Sequence, residues 1–141
     1  MGQFFDFVVD NPFLFAAFIA ILVMLIMNEF KRKLLGFTAV DPNDAVRLMN
    51  QEDAAVLDVR EDGEFNEGHI LNAIHIPLGL LEARLDEIEA YKEKPLIVYC
   101  RSGQRSAKAG AILRRQGFQS LYKLSGGMMA WTSANMPISK Q

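Results

Sequence analysis

Cys100 is the only cysteine in the 141 residues, and the residues around it are of the types that turn a thiol into a nucleophile. The apolar run Leu96-Ile97-Val98-Tyr99 leads straight into Cys100-Arg101-Ser102-Gly103-Gln104-Arg105. Residues 106–116 then have helical composition, and Gly117 stands where a helix would end. A strand–loop–helix unit of this kind leaves the N–H groups of the loop and first helical turn without helical partners. Those groups converge on an anion, and the helix dipole adds partial positive charge. Gly103 permits a turn that other residues resist. A thiol at such a helix start, flanked by Arg101 and Arg105, is expected to have a lowered pKa and to be largely thiolate near neutral pH. A lone cysteine is more often buried filler; the loop is what argues otherwise here. One thiol cannot form an internal disulfide, and no Cys/His cluster suggests a metal.

Charge is uneven along the chain. From residue 40 to 99 acids outnumber bases, whereas from Cys100 onward there is no Asp or Glu. That last stretch carries Arg101, Arg105, Lys108, Arg114, Arg115, Lys123 and Lys140. A fold that interleaves the two halves would give a mixed surface. A fold that does not would surround Cys100 with a positive field suited to an anionic substrate.

The elements that must position the loop alternate in type. Asp41-Pro42 reads as a cap and first helical residue for a helix to about Asn50. Strands are expected over 54–59, 73–76, 96–99 and 121–124. A polar helical turn runs to Phe65. Residues 78–90 have helical spacing, with Leu81, Leu85 and Ile88 on one side. Gly126-Gly127 opens a last helical turn holding Trp131. This alternation predicts an α/β fold with a mainly parallel sheet flanked by helices. In such sheets ligands sit at the carboxyl ends of strands, which is where Cys100 lies.

Ahead of this domain, residues 13–27 (FLFAAFIAILVMLIM) are unbroken apolar sequence. With Asn11 as N-cap and Pro12 at the first helical position, a helix over 12–30 would be about 28 Å long, close to a bilayer's apolar thickness of roughly 30 Å. One transmembrane helix over 12–30 is therefore expected, with the lipid bilayer as its partner. A cleaved signal peptide would want a basic start, and Asp6 and Asp10 stand there instead. Lys31, Arg32 and Lys33 follow the run, and no Lys or Arg precedes it. The expectation is a single-pass protein of a bacterial inner membrane, with residues 1–11 outside and the domain facing the cytoplasm. A free thiol agrees with that reducing compartment. Phe4, Phe5 and Phe7 would rest in the outer interface. Residues 31–39 read as a basic juxtamembrane linker and 40–141 as the folded domain. Eight extended residues reach only about 28 Å, which would keep that domain close to the bilayer.

Leu57-Asp58-Val59-Arg60, Glu64-Phe65, Gly68-His69-Ile70, Ala73-Ile74, Ile76-Pro77, the loop CRSGQRS, and Leu124-Ser125-Gly126-Gly127 through Ala130-Trp131 together resemble the rhodanese family in order and spacing. The resemblance covers about residues 40–138. It implies a rhodanese-like sheet and a thiosulfate sulfurtransferase-type enzyme with Cys100 as its catalytic residue. The thiolate would take sulfur from a small anionic donor such as thiosulfate, become a persulfide, and yield the sulfur to cyanide, a small thiol or a partner protein's thiol. Arg101 and Arg105 would orient the donor. The N–H groups of Arg101, Ser102, Gly103, Gln104 and Arg105 would cradle the persulfide. Asp58 and Arg60 would support the site, by holding loops together more than by touching substrate. Phosphatases and arsenate reductases of related fold place five residues between Cys and Arg. Four separate Cys100 from Arg105, a tighter ring better matched to one sulfur atom than to a tetrahedral oxyanion. A second reading is a persulfide carrier or protein-interaction module at the membrane, with little free turnover. His69 and His75 read as structural, and Gly126-Gly127 and Trp131 as packing. Met128 and Met129 read as filler that could reach the site mouth. No cofactor, metal or nucleic acid is expected.

Overall fold

A computed structural model of the chain describes residues 1–35 and 37–140, the side chains of 31–35 excepted. Two compact units result, divided between residues 34 and 35.

The first unit is helical. Helix α1 spans Gly2–Asp10 and α2 spans Pro12–Leu35. The Asn11 side-chain amide donates to Phe7 O at 3.0 Å, at the end of α1, while the main-chain carbonyl of Asn11 receives Phe15 N–H. Asn11 thus serves the end of one helix as well as the start of the next. Phe4 and Phe7 meet Phe15 edge-to-face, with centroids 6.3 and 5.9 Å apart, a geometry favoured by the ring quadrupoles. The stretch Pro12–Phe30 has a mean hydropathy of 2.4 and is long and apolar enough to cross a bilayer.

The second unit is α/β. Its strands are β1 (Phe37–Val40), β2 (Ala55–Asp58), β3 (His69–Ile70), β4 (Ile74–His75), β5 (Leu96–Tyr99), β6 (Leu121–Leu124) and β7 (Ile138–Ser139). Five of them form a sheet in the order β1-β6-β5-β2-β4, with every pairing parallel. The other two, β3 and β7, make a short antiparallel pair. Helices α3 (Pro42–Gln51), α4 (Asp62–Glu67), α5 (Gln104–Arg115) and α6 (Gly127–Ser133) complete the unit. Asp41 caps α3 by accepting Asp44 N–H at 2.8 Å.

The central strands are buried on both faces, which is why they read as continuous apolar runs. Leu57, Leu96 and Val98 belong to a core shared with Ala109 and Leu113 of α5. Val56, Ile97 and Tyr99 belong to a second core with Ala45 of α3 and Trp131 of α6. Trp131 is 1% exposed and its indole N–H donates to Pro137 O at 2.9 Å.

Three expectations are corrected. The linker placed at 31–39 is largely structured: α2 runs on to Leu35, and Phe37–Val40 is the edge strand β1, in register with Leu121–Leu124. Residues 78–90 are not one regular helix but two 3-10 segments, Leu78–Leu80 and Glu82–Tyr91, the second broken at Arg84. Helix α5 begins at Gln104, not Ser106, which shortens the loop after Cys100.

Candidate active site

Alternation along β5 aims the thiol. Tyr99 points into the α3–α6 core, so Cys100 falls on the opposite side, at the start of α5. There the Gly103 N–H donates to Cys100 Sγ at 3.0 Å. The Ser106 hydroxyl lies 3.6 Å from the sulfur and donates to Gly103 O at 3.0 Å. Gly103 is itself left-handed, at φ +128°, a conformation that suits glycine. Cys100 and Ser106 are each 1% exposed. Burial pushes the thiol pKa up, but the N–H groups of Ser106, Gly103 and Ser102 outweigh it, leaving the thiol below its ordinary value. Donors aimed at a sulfur stabilise its charged form.

The outer side of the loop is fixed by the turn between β6 and α6. Met128 N–H donates to Cys100 O at 2.8 Å and Met129 N–H to Arg101 O at 3.2 Å. So close is this approach that a Cβ on Gly127 would lie 2.3 Å from Cys100 O and 2.6 Å from Arg101 O. Gly127 is also left-handed, at φ +55°.

A neighbouring strand end supplies a second brace. The Asp58 carboxylate accepts Arg60 N–H at 2.9 Å and the Arg60 guanidinium at 3.0 and 2.7 Å. Arg60 also donates to Gly68 O at 2.7 Å and lies 5.5 Å over the Tyr99 ring. The Tyr99 hydroxyl accepts Ile70 N–H at 3.1 Å; burial, with Asp58 nearby, raises its pKa well above the ordinary value. Both histidines flank Phe65, stacked at 3.7 and 4.3 Å. His69 Nδ1 is 2.9 Å from Phe65 O and His75 Nε2 is 2.7 Å from Arg60 O.

A model of the rhodanese-like domain matches residues 41–134, the stretch that contains every one of these groups. The chain belongs to the rhodanese-like family. It is 32% identical over 139 residues to an uncharacterized protein of Escherichia coli, YibN, covering 98% of this chain and 97% of that one. It is 38% identical over 92 residues to a sulfurtransferase of Allochromatium vinosum, covering 65% of this chain and 84% of the relative. The crystal structure of a rhodanese-related protein from Thermoplasma volcanium superposes with a TM-score of 0.67 at 28% identity, over 74% of this chain and all of that one.

In this rhodanese domain the Gly103 N–H lies against Cys100 Sγ, and the two loop arginines are placed differently. Arg105 was expected to orient a donor. Its two terminal nitrogens instead hold the Glu64 carboxylate, at 2.5 and 2.8 Å, tying the loop to α4. Arg101 is exposed at the loop and borders a cavity of about 180 Å³ together with Arg60, Glu67, Met128 and Met129. Both methionines therefore line this cavity. Asp58 accepts from Arg60, and Arg60 in turn donates to Gly68 O, which ties the end of β2 to the residue before β3. Glu64, Ser106 and Gly127 took no part in the site read from the sequence. Each nevertheless lies in a quoted motif: Glu64-Phe65, CRSGQRS and Gly126-Gly127.

The Glu64–Arg105 pair sets a pH dependence. Arg105 holds the Glu64 carboxyl down to about 2, against the ordinary 4.5. The stabilisation is thus complete above pH 4.5 and is lost as pH falls toward 2. Both side chains are partly exposed, so the pair is worth about 1 kcal/mol at neutral pH. Glu64→Gln is expected to lower stability by that amount at pH 7, with the gap closing as pH approaches 2. Urea unfolding in detergent at stepped pH measures it. A gap independent of pH would contradict the assignment.

Proposed function

We propose that this protein is a membrane-anchored sulfurtransferase that carries sulfane sulfur on Cys100. The observation that carries the reading is the Gly103 N–H aimed at Cys100 Sγ at the start of α5, with the thiol pKa lowered by the surrounding donors. The Cys100 thiolate attacks the outer sulfur of a donor such as thiosulfate. A Cys100–sulfur bond forms, the donor's S–S bond breaks, and sulfite leaves with the electron pair. A nucleophilic acceptor, cyanide or a thiol, then bonds to the outer sulfur, and Cys100 departs as thiolate. Splitting the exchange in two lowers each barrier. The loop N–H groups offset negative charge on either sulfur without solvent rearrangement. Arg101, exposed beside the cavity, is the cation we assign to an anionic donor.

The relatives support the chemistry. A thiosulfate sulfurtransferase of Vibrio cholerae, GlpE, is 33% identical over 102 residues, covering 72% of this chain and 94% of the relative. The apolar helix and the bases at 31–33 support a single pass with the N-terminus outside and the domain in the cytoplasm.

The test uses the full-length protein in detergent, with thiosulfate and cyanide. Steady turnover to thiocyanate is expected. Loading of Cys100 from a protein persulfide with negligible thiosulfate turnover would instead favour a carrier, the reading kept open because the same loop serves both. Protease added to inside-out membrane vesicles is expected to digest the domain. Protection there, with digestion in right-side-out spheroplasts, would reverse the topology.

A further inference from the structure

Lys123 of β6 reaches the Cys100 loop from outside it, and Phe37 of β1 lies beside Lys123. Lys123 of β6 pairs with Ala39 of β1 on one side and Val98 of β5 on the other. Its side chain turns to the α5 face of the sheet. Its Cε and Nζ there lie 3.1 and 3.2 Å from the point a Cβ on Gly103 would occupy. The same ammonium sits 5.8 Å from the centroid of the Phe37 ring. Phe37 in turn occupies the space over Gly110 of α5: a Cβ on Gly110 would come within 2.6 Å of the ring. Contact therefore runs from β1, through Lys123, to the glycine whose N–H holds the sulfur at 3.0 Å.

We propose that Lys123 is a positioning residue for the Cys100 loop, aimed at Gly103 by the Phe37 ring. The proposal rests on Cys100 being the sulfur carrier and adds a group that the catalytic motif does not include. An ammonium against Gly103 places positive charge beside the residue whose N–H meets the sulfur, favouring the thiolate and, after transfer, the persulfide anion. A lysine chain is flexible and would lose this position in open solvent. The negative face of Phe37 holds the ammonium, and the absence of a side chain at Gly110 makes room for the ring. Of the two bases in the loop's own sequence, Arg105 is held by Glu64 and Arg101 is exposed beside the cavity. Lys123 also packs where a side chain on residue 103 would have to go, so it limits how far the loop can open.

Two measurements on full-length protein in detergent decide this: the pH profile of Cys100 alkylation by iodoacetamide, and the rate of persulfide formation from thiosulfate. Lys123→Met is expected to move the alkylation midpoint up by roughly half a pH unit to one unit. Persulfide formation at pH 7 should slow about 3- to 10-fold. Lys123→Arg is expected to restore both, and Phe37→Leu to give a smaller shift of the same sign. A role in packing alone would lower stability without moving the midpoint. An unchanged midpoint in Lys123→Met, or no rescue by arginine, would overturn the proposal. If the wild type takes up no sulfur, the sulfur-transfer reading fails. The alkylation midpoint needs no donor and still decides on Lys123.

Discussion

Cys100→Ser is expected to reduce sulfur transfer by about 10³-fold or more while leaving the fold in place. The serine hydroxyl fits the same buried position, 1% exposed, with Gly103 N–H and Ser106 still at hand. Stability should change by only about 1 kcal/mol, the ordinary scale for a near-isosteric change. What is lost is the nucleophile. The loop donors lower the pKa of a thiol, whereas an alcohol begins far higher and binds no sulfane sulfur reversibly. Thiocyanate formation from thiosulfate and cyanide, with circular dichroism as the control, measures it. Activity within tenfold of wild type would place the transferring group elsewhere.

Gly127→Ala should be the most damaging change outside the loop itself. A methyl there would stand 2.3 Å from Cys100 O and 2.6 Å from Arg101 O, both backbone atoms with no side-chain freedom to yield. The residue's φ of +55° adds left-handed strain. Steric overpacking and left-handed strain together should cost about 2–4 kcal/mol. Because the clash pushes on the peptide carrying Cys100, kcat/KM should fall about 10²-fold, the scale of a 1 Å misplacement. Gly126→Ala is the control. It is also left-handed, at φ +73°, but its new Cβ would meet Ala130 Cβ at 2.7 Å rather than the loop. It should lose stability with a much smaller loss of turnover in the molecules that remain folded. Equal turnover losses in the two variants, measured at matched folded fraction, would contradict the buttressing role of Gly127.

Local patterns carried most of this structure into view. The run LIVY with its loop and following helix reads correctly but for the helix start, because strand, turn and helix signals lie within twenty residues. So does the Asp41-Pro42 start of α3, where the cap is a single local hydrogen bond. The signals that failed are those that depend on distant partners. Strand β1 is four residues, FTAV, half-exposed and next to basic sequence; only its pairing with β6, more than eighty positions later, makes it a strand. The pair β3–β7 has two residues on each side and no pattern to read. Arg105 looks like a donor-binding base in its own loop. Its actual partner, Glu64, lies 41 positions away, and nothing in the spacing indicates which acid will meet it. Gly126-Gly127 shows that a turn is wanted but not that its backbone presses on Cys100. The 3-10 segments at 78–91 keep the apolar spacing of a helix, so periodicity alone could not distinguish the tighter winding.

The most direct test of the account is intact mass spectrometry of the purified full-length protein after brief exposure to thiosulfate. The expected product is heavier by one sulfur atom, with the addition located on the peptide containing Cys100 and removed by a thiol reductant. It should be absent from Cys100→Ser. A wild-type protein that stays at its unmodified mass with every sulfane-sulfur donor supplied, while remaining folded, would contradict the claim that this loop holds a persulfide.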